Sequence, residues 1–290
     1  MSNMQKTINH MDSLIQSTVI SRDGTVIGYQ SIGPGPGPGP GLIVIHGALS
    51  SSNDLTKFAQ ELSDSFTVHI IDRRGRGISG PQGIEYSIIK ECEDIQVVQE
   101  ATGATHVFGH SYGGLIALEA ARMLQSFTKI ALYEPGVSIN SLPTDWDWIL
   151  KYEEAMNRKD FREAFTSFVR GAGHSPLARM PNWYAKFILR MVIRGSQWLK
   201  IKELLLTNLY EHKEVQRLDS TYNNYQIINA NVLLISGEKS PETVHQMIQV
   251  LNQTIPQTQT LILPKLHHLA PCNEHAPIEV AKHVKRHFLS

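Results

Sequence analysis

Cysteine is nearly missing: Cys92 and Cys272 are the only two, far apart in a chain of 290 residues. Such a pair makes neither a disulfide framework nor a metal-ligand spacing, and free thiols suit a reducing compartment. Net charge is missing too, with 27 Lys and Arg against 27 Asp and Glu. Without a basic run, nothing in the linear sequence attracts a phosphate backbone or an anionic membrane. No apolar stretch approaches the length of a bilayer span. Residues 1–16 are polar and mixed, lacking the basic start and apolar run of a signal peptide. The expectation is a cytoplasmic protein that binds neither nucleic acid nor membrane.

What is present is ordinary globular material, 41% hydrophobic and 19% charged. The length exceeds a usual single core, so one large α/β domain or a core with an insertion is expected. Thr18-Val19-Ile20 and Val26-Ile27-Gly28-Tyr29 flank Asp23-Gly24 and predict a hairpin. Residues 34–41 alternate proline and glycine, which favours a loop. Leu42-Ile43-Val44-Ile45 is an uninterrupted apolar run ending at His46-Gly47, as in a strand covered on both faces. Leu55, Phe58, Ala59 and Leu62 then follow at helical spacing. Further strands are read at Val68-His69-Ile70-Ile71, Thr105 to Phe108 and Lys129 to Tyr133, with helices through Cys92 and through Leu115 between them. This alternation predicts a parallel sheet with crossover helices.

The pattern changes after the strand at Tyr133. No buried strand is visible from about residue 142 to residue 225, and Trp146, Trp148, Trp183 and Trp198 all fall there among helical periodicities. Alternation resumes at Val232-Leu233-Leu234-Ile235 and ends in a helix from Pro277. The predicted organisation is a tail (1–17), an α/β core in two parts (18–138 and 226–290) and a helical cap (139–225) inserted between them. The tryptophans fit either a pocket wall or simple burial between cap helices.

Gly109-His110-Ser111-Tyr112-Gly113 is a Gly-x-Ser-x-Gly match, and about 0.1 such matches arise by chance in a chain this long. Its context makes it informative. It follows an apolar strand and opens a helix, which is where a nucleophile elbow stands. A serine hydroxyl needs a base to take its proton, and the base is expected after the last strand. His267 and His268 are the candidates, with His268 better placed in the loop before the final helix. Acyl transfer also needs backbone N–H donors for the developing oxyanion. Tyr112, directly after the serine, and Ala48, in the loop after Ile45, are the candidate donors; His46, Gly47 and His110 beside them are candidate substrate contacts.

With these motifs in order, the chain resembles the α/β-hydrolase superfamily from about residue 18 to residue 289. His46-Gly47, Asp72-Arg73-Arg74-Gly75-Arg76-Gly77-x-Ser79, Gly109-His110-Ser111-Tyr112-Gly113-Gly114 and His268 carry the likeness. It implies an α/β-hydrolase fold: a mostly parallel eight-stranded sheet flanked by helices, with a cap. The Asp72-Arg73-Arg74-Gly75 segment is then a loop that shapes the site. A serine nucleophile separates the chain from the members that attack with aspartate, the haloalkane dehalogenases and epoxide hydrolases.

One departure stands out. Where these enzymes commonly carry Gly-x-x-Asp-Pro, this chain reads Gly237-Glu238-Lys239-Ser240-Pro241, with serine in the acid's place. Some members use an acid after the preceding core strand, where this chain has Tyr133-Glu134-Pro135. Glu134 is the first candidate to orient the histidine, with Glu238 and Glu242 as alternatives. The resulting expectation is a cofactor-free, metal-free hydrolase of a small ester, thioester or lactone. Carbon–carbon bond hydrolysis or perhydrolysis by the same triad is a second reading, and a slow or non-catalytic small-molecule receptor a third. The sequence leaves a homodimer open.

Overall fold

The computed structural model describes residues 14–33, 40–140, 145–172 and 176–290. The tail expected at 1–17 lies mostly outside the described residues, and Ile15 already belongs to the first strand. Most of the proline–glycine loop, residues 34–39, also falls outside them.

Eight strands form one sheet. β1 (Ile15–Ile20) and β2 (Val26–Ile32) make the predicted hairpin, closed at Ser21 to Thr25. Then come β3 (Gly41–Ile45), β4 (Thr67–Asp72), β5 (His106–His110), β6 (Lys129–Tyr133), β7 (Asn231–Gly237) and β8 (Thr258–Leu263). Their spatial order is β1-β2-β4-β3-β5-β6-β7-β8. β1–β2 and β2–β4 pair antiparallel, and all remaining neighbours pair parallel.

The continuous apolar runs are explained by burial on both faces. In β3, Ile43 and Ile45 point into one core cluster while Leu42 and Val44 point into the other. β6 divides the same way, with Ile130 and Leu132 on one side and Ala131 and Tyr133 on the other. Helices cover both faces, as parallel crossovers require: α1 (Thr56–Leu62), α2 (Ile88–Thr102) and α3 (Tyr112–Leu124) come before β6, and α8 (Glu242–Thr254) and α9 (Pro277–Leu289) after β7.

Between β6 and β7 the chain leaves the sheet for α4 (Asp147–Asn157), α5 (Phe161–Gly171), α6 (Asn182–Val192) and α7 (Gly195–Arg217). These helices bury a cluster of their own, including Trp148, Tyr152, Phe165, Leu205 and Leu209. Trp146 packs against both this cluster and one core cluster, so the insertion sits on the sheet domain rather than apart from it.

The arrangement places the site. β3 lies between β4 and β5, so the chain turns to opposite sides of the sheet after β4, and ligand crevices form at such a point beyond the strands' carboxyl ends. The register brings His110, Tyr133 and Ile235 level across β5, β6 and β7. The residues just past those three therefore share one rim of the sheet.

Candidate active site

Ser111 stands between β5 and α3 with φ 54° and ψ −123°. A serine at positive φ costs about 1–3 kcal/mol and persists only where its surroundings enforce it. Here backbone bonds fix it on both sides: Ser111 N–H donates to Tyr133 O at 3.0 Å, and Ser111 O accepts from Gly136 N–H at 2.8 Å. The flanking glycines are required by contact. A Cβ on Gly113 would lie 2.3 Å from the Ile45 carbonyl oxygen, and one on Gly109 2.5 Å from that of Gly113. Neither backbone atom can move aside.

His268 arrives from the loop between β8 and α9. Its Nε2 lies 3.1 Å from Ser111 Oγ and its Nδ1 2.8 Å from Glu134 Oε2. His267 does not take this place: its carbonyl accepts from the Tyr133 hydroxyl at 3.0 Å, and its ring packs against His275. Glu134, also at positive φ (45°), is buried at the end of β6. Its Oε1 accepts from Gly237 N–H at 2.8 Å and from Ser240 Oγ–H at 2.5 Å. Burial pushes its pKa upward, but the hydrogen bond and charge of His268, with the Gly237 and Ser240 donors, outweigh burial and hold it down at about 2. The alternatives lie elsewhere. Glu238 is exposed and accepts from Lys265 N–H at 2.8 Å, and Glu242 is exposed in the first turn of α8.

His110 sits beneath this group. Its Nε2–H donates to the His268 carbonyl at 2.8 Å, so the residue before the serine holds the loop that carries the histidine. Burial, then the charge of His268, lowers its pKa to about 3, keeping the ring neutral. Its expected role as a substrate contact is thereby recast: it touches the cavity wall but is almost wholly buried. His46 does not reach the cavity at all. It is fully buried, and its Nδ1–H donates to the Gly47 carbonyl at 2.9 Å.

Gly47 does line the cavity, against Ser111, whose Cβ would be 3.1 Å from a Cβ placed on Gly47. The Gly47 carbonyl also accepts from Arg73 Nη1–H at 3.2 Å. In a trans peptide the next N–H points the opposite way, so holding this carbonyl turns the Ala48 N–H away from Arg73. Tyr112 opens α3, where an N–H has no intrahelical acceptor and the helix dipole favours negative charge. Among the described residues, neither N–H donates to a protein acceptor.

The Asp72-Arg73-Arg74 segment is an ionic fastening. Arg73 is fully buried and pairs with Glu91 of α2 and Glu211 of α7, both at 2.6 Å, while its guanidinium stacks 4.8 Å from the Tyr112 ring centroid. Arg76 shares Glu211 at 2.6 Å, and Arg74 pairs with Asp94 at 2.7 Å. The loop thus ties the inserted helix α7 to the backbone beside Ser111. Sequence reasoning assigned the loop to shaping the site but identified neither Glu211 as its partner nor Ser240 as a donor to Glu134. The serine in the acid's place was the one signal for Ser240.

Above Ser111 and His268 lies a cavity of about 950 Å³. Trp146, Trp148, Phe165, Phe168, Ile201 and Met247 give it mostly apolar walls, and the ion pair of Lys200 with Asp54 (2.7 Å) borders it. Two tryptophans therefore line the cavity. Trp198 instead lies under Arg162, 3.6 Å from its ring centroid, and Trp183 is exposed.

A sequence profile of the alpha/beta hydrolase fold matches residues 40–274. The chain belongs to the α/β-hydrolase family. An α/β hydrolase of known structure from Sphaerobacter thermophilus DSM 20745 is 27% identical with a TM-score of 0.79, covering 94% of this chain and 100% of that one. An esterase from Rhodococcus sp. ECU1013 is 19% identical with a TM-score of 0.67, covering 95% of this chain and 98% of its own. An epoxide hydrolase, at 14% identity and a TM-score of 0.68, covers 96% of this chain and 99% of its own. The last two show the same fold and no more. No curated protein matches this α/β hydrolase in sequence.

Proposed function

We propose that this α/β hydrolase cleaves a small carboxylic ester, or a related thioester or lactone, through an acyl-enzyme on Ser111. The observation that carries the reading is the continuous chain Ser111 Oγ, His268, Glu134, with links of 3.1 and 2.8 Å. His268 Nε2 takes the serine proton as Oγ attacks the carbonyl carbon, and the ring then returns that proton to the leaving alkoxide. Water attacks the acyl-enzyme by the same relay and frees the acid. Glu134 holds Nδ1 protonated, which leaves Nε2 as the acceptor, and stabilises the imidazolium that forms. The N–H groups of Ala48 and Tyr112 stabilise the tetrahedral oxyanion. The helical insertion acts as a cap whose aromatic residues select an apolar group. No step calls on a cofactor or metal.

A fluorophosphonate probe tests the nucleophile: the wild type labels, and Ser111→Ala does not. A folded wild type that resists labelling would sink the assignment. Turnover of short-chain p-nitrophenyl esters against ring-fission products then separates ester from carbon–carbon chemistry. Labelling with turnover of neither substrate would favour a receptor.

A further inference from the structure

Helix α6 buries only Ala185 and Leu189 against the rest of the insertion. Trp183, Phe187 and Met191 repeat at every fourth position on its open side, with Val192 beside them, and their exposures are 71, 55, 50 and 68%. Exposed apolar residues are ordinary when scattered, but a contiguous stripe on a helix marks a contact surface. Three arginines frame it. Arg162, Arg190 and Arg194 line one surface pocket together with Phe187 and Met191. The nearby carboxylates Asp160 and Glu163 are both taken by Lys186 at 2.9 Å, and among the described residues no acid pairs with any of the three arginines. Burial and the like charges of Arg190 and Arg194 push the Arg162 pKa below its ordinary value. In a chain with no net charge, this is a local concentration of one sign.

We propose that the α6 face docks the protein onto an anionic phospholipid surface, the apolar stripe entering the interface and the arginines meeting lipid phosphates. A basic rim around Trp and Phe is the composition of helices that lie in a membrane interface. Charge decides against a second copy as the occupant. A two-fold contact centred on this face would bring the two arginine clusters together, while the carboxylates beside them, Asp160 and Glu163, are already engaged by Lys186. The face also adjoins the cavity, since Ile193, the residue after α6, lines the cavity wall. Docking would therefore bring the cavity next to the lipid surface. The proposal does not depend on the hydrolytic reading, because attachment needs no turnover.

The test uses the full chain carrying Ser111→Ala, so that no lipid can be consumed. It is sedimented with vesicles of phosphatidylcholine alone and of phosphatidylcholine mixed with phosphatidylglycerol. The expected result is partitioning onto the mixed vesicles that weakens as salt rises. Arg190→Glu with Arg194→Glu should reduce it at least about tenfold, since each basic residue near an anionic surface contributes strongly. Phe187→Ser with Met191→Ser, made separately, should do the same by removing the inserted stripe. All these side chains are exposed, so unchanged melting temperatures are expected and confirm intact folds. Failure to bind mixed vesicles at low salt overturns the proposal, as does equal binding by both variants. A dimer in sedimentation velocity that either pair of substitutions dissolves, without vesicle binding, would assign the face to a second copy instead.

Discussion

The Ser240 hydroxyl donates to Glu134 Oε1 at 2.5 Å, across the gap between the loops that follow β7 and β6. A residue in the place commonly held by the acid thus donates to the carboxylate that meets His268 from the neighbouring strand. The register explains how this works: Tyr133 and Ile235 pair, so Glu134, just past β6, lies beside the end of β7 at Gly237, and Ser240 follows three residues later.

Glu134→Gln should lower kcat on the order of 10⁴-fold, because an amide neither fixes the His268 tautomer nor stabilises its charged form. Ser240→Ala removes one of the three donors to that carboxylate and should cost about tenfold, with KM little changed. Steady-state kinetics of both variants on one ester decide the matter. A Glu134→Gln enzyme with near wild-type kcat would displace Glu134 from the triad.

Stability should fall in two stages as the solution is acidified. His69 and His110 are buried and neutral, their pKa values lowered from 6.5 to about 4 and about 3, mainly by burial. Below pH 6.5 the unfolded chain takes up protons that these native rings refuse, so stability drops between pH 6.5 and about 3. Glu134 has a folded pKa of about 2 against 4.5, so its contribution is complete above pH 4.5 and is lost from there down to about 2. Urea unfolding at a series of pH values should show the first stage shrinking in His110→Asn and the second in Glu134→Gln.

Glu211→Ala should destabilise the fold by about 3–5 kcal/mol, since it leaves two buried arginines short of a partner. It should also lower kcat, because the same Arg73 that pairs with Glu211 at 2.6 Å holds the Gly47 carbonyl. Denaturant titration and kinetics of the one variant test both effects. Loss of stability with full kcat would separate the ionic fastening from any part in catalysis of the loop at Gly47.

Trp148→Ala and Phe168→Ala should shift preference toward longer or bulkier acyl groups by opening the cavity wall. A tenfold change in relative kcat/KM corresponds to about 1.4 kcal/mol, within what burial of an aromatic ring supplies. A p-nitrophenyl ester series of rising chain length provides the readout. An unaltered length profile in both variants would place the acyl group elsewhere in the cavity.

Local pattern was enough for the sheet and the elbow. Apolar runs such as Leu42 to Ile45 can be satisfied only by burial on both faces, and Gly109 and Gly113 bracket the serine at two positions where a Cβ would strike backbone. Ser111 and His268 were legible because each stands at a strand end that the run of residues itself marks. The direction of the His46 and His110 rings was not legible, since where a side chain past a strand end points depends on what packs around it. Both rings turned inward, one to Gly47 and the other to the His268 carbonyl.

Pairings between distant segments were beyond the sequence. Arg73 and Glu211 are separated by 138 positions, and Lys200 meets Asp54 across 146. No spacing rule connects such residues; only the fold of the inserted helices onto the sheet does. Charge shows the same division. The linear sequence has as many acids as bases and no basic run, whereas the packed insertion gathers Arg162, Arg190 and Arg194 on one face and commits the nearby acids to Lys186. Sequence by itself determined the strand order along the chain, the strained serine and its histidine, because those follow from short-range sterics and burial. Tertiary structure decided which carboxylate the histidine meets, what holds the Gly47 carbonyl and where positive charge collects, because each depends on groups brought together only by long-range packing.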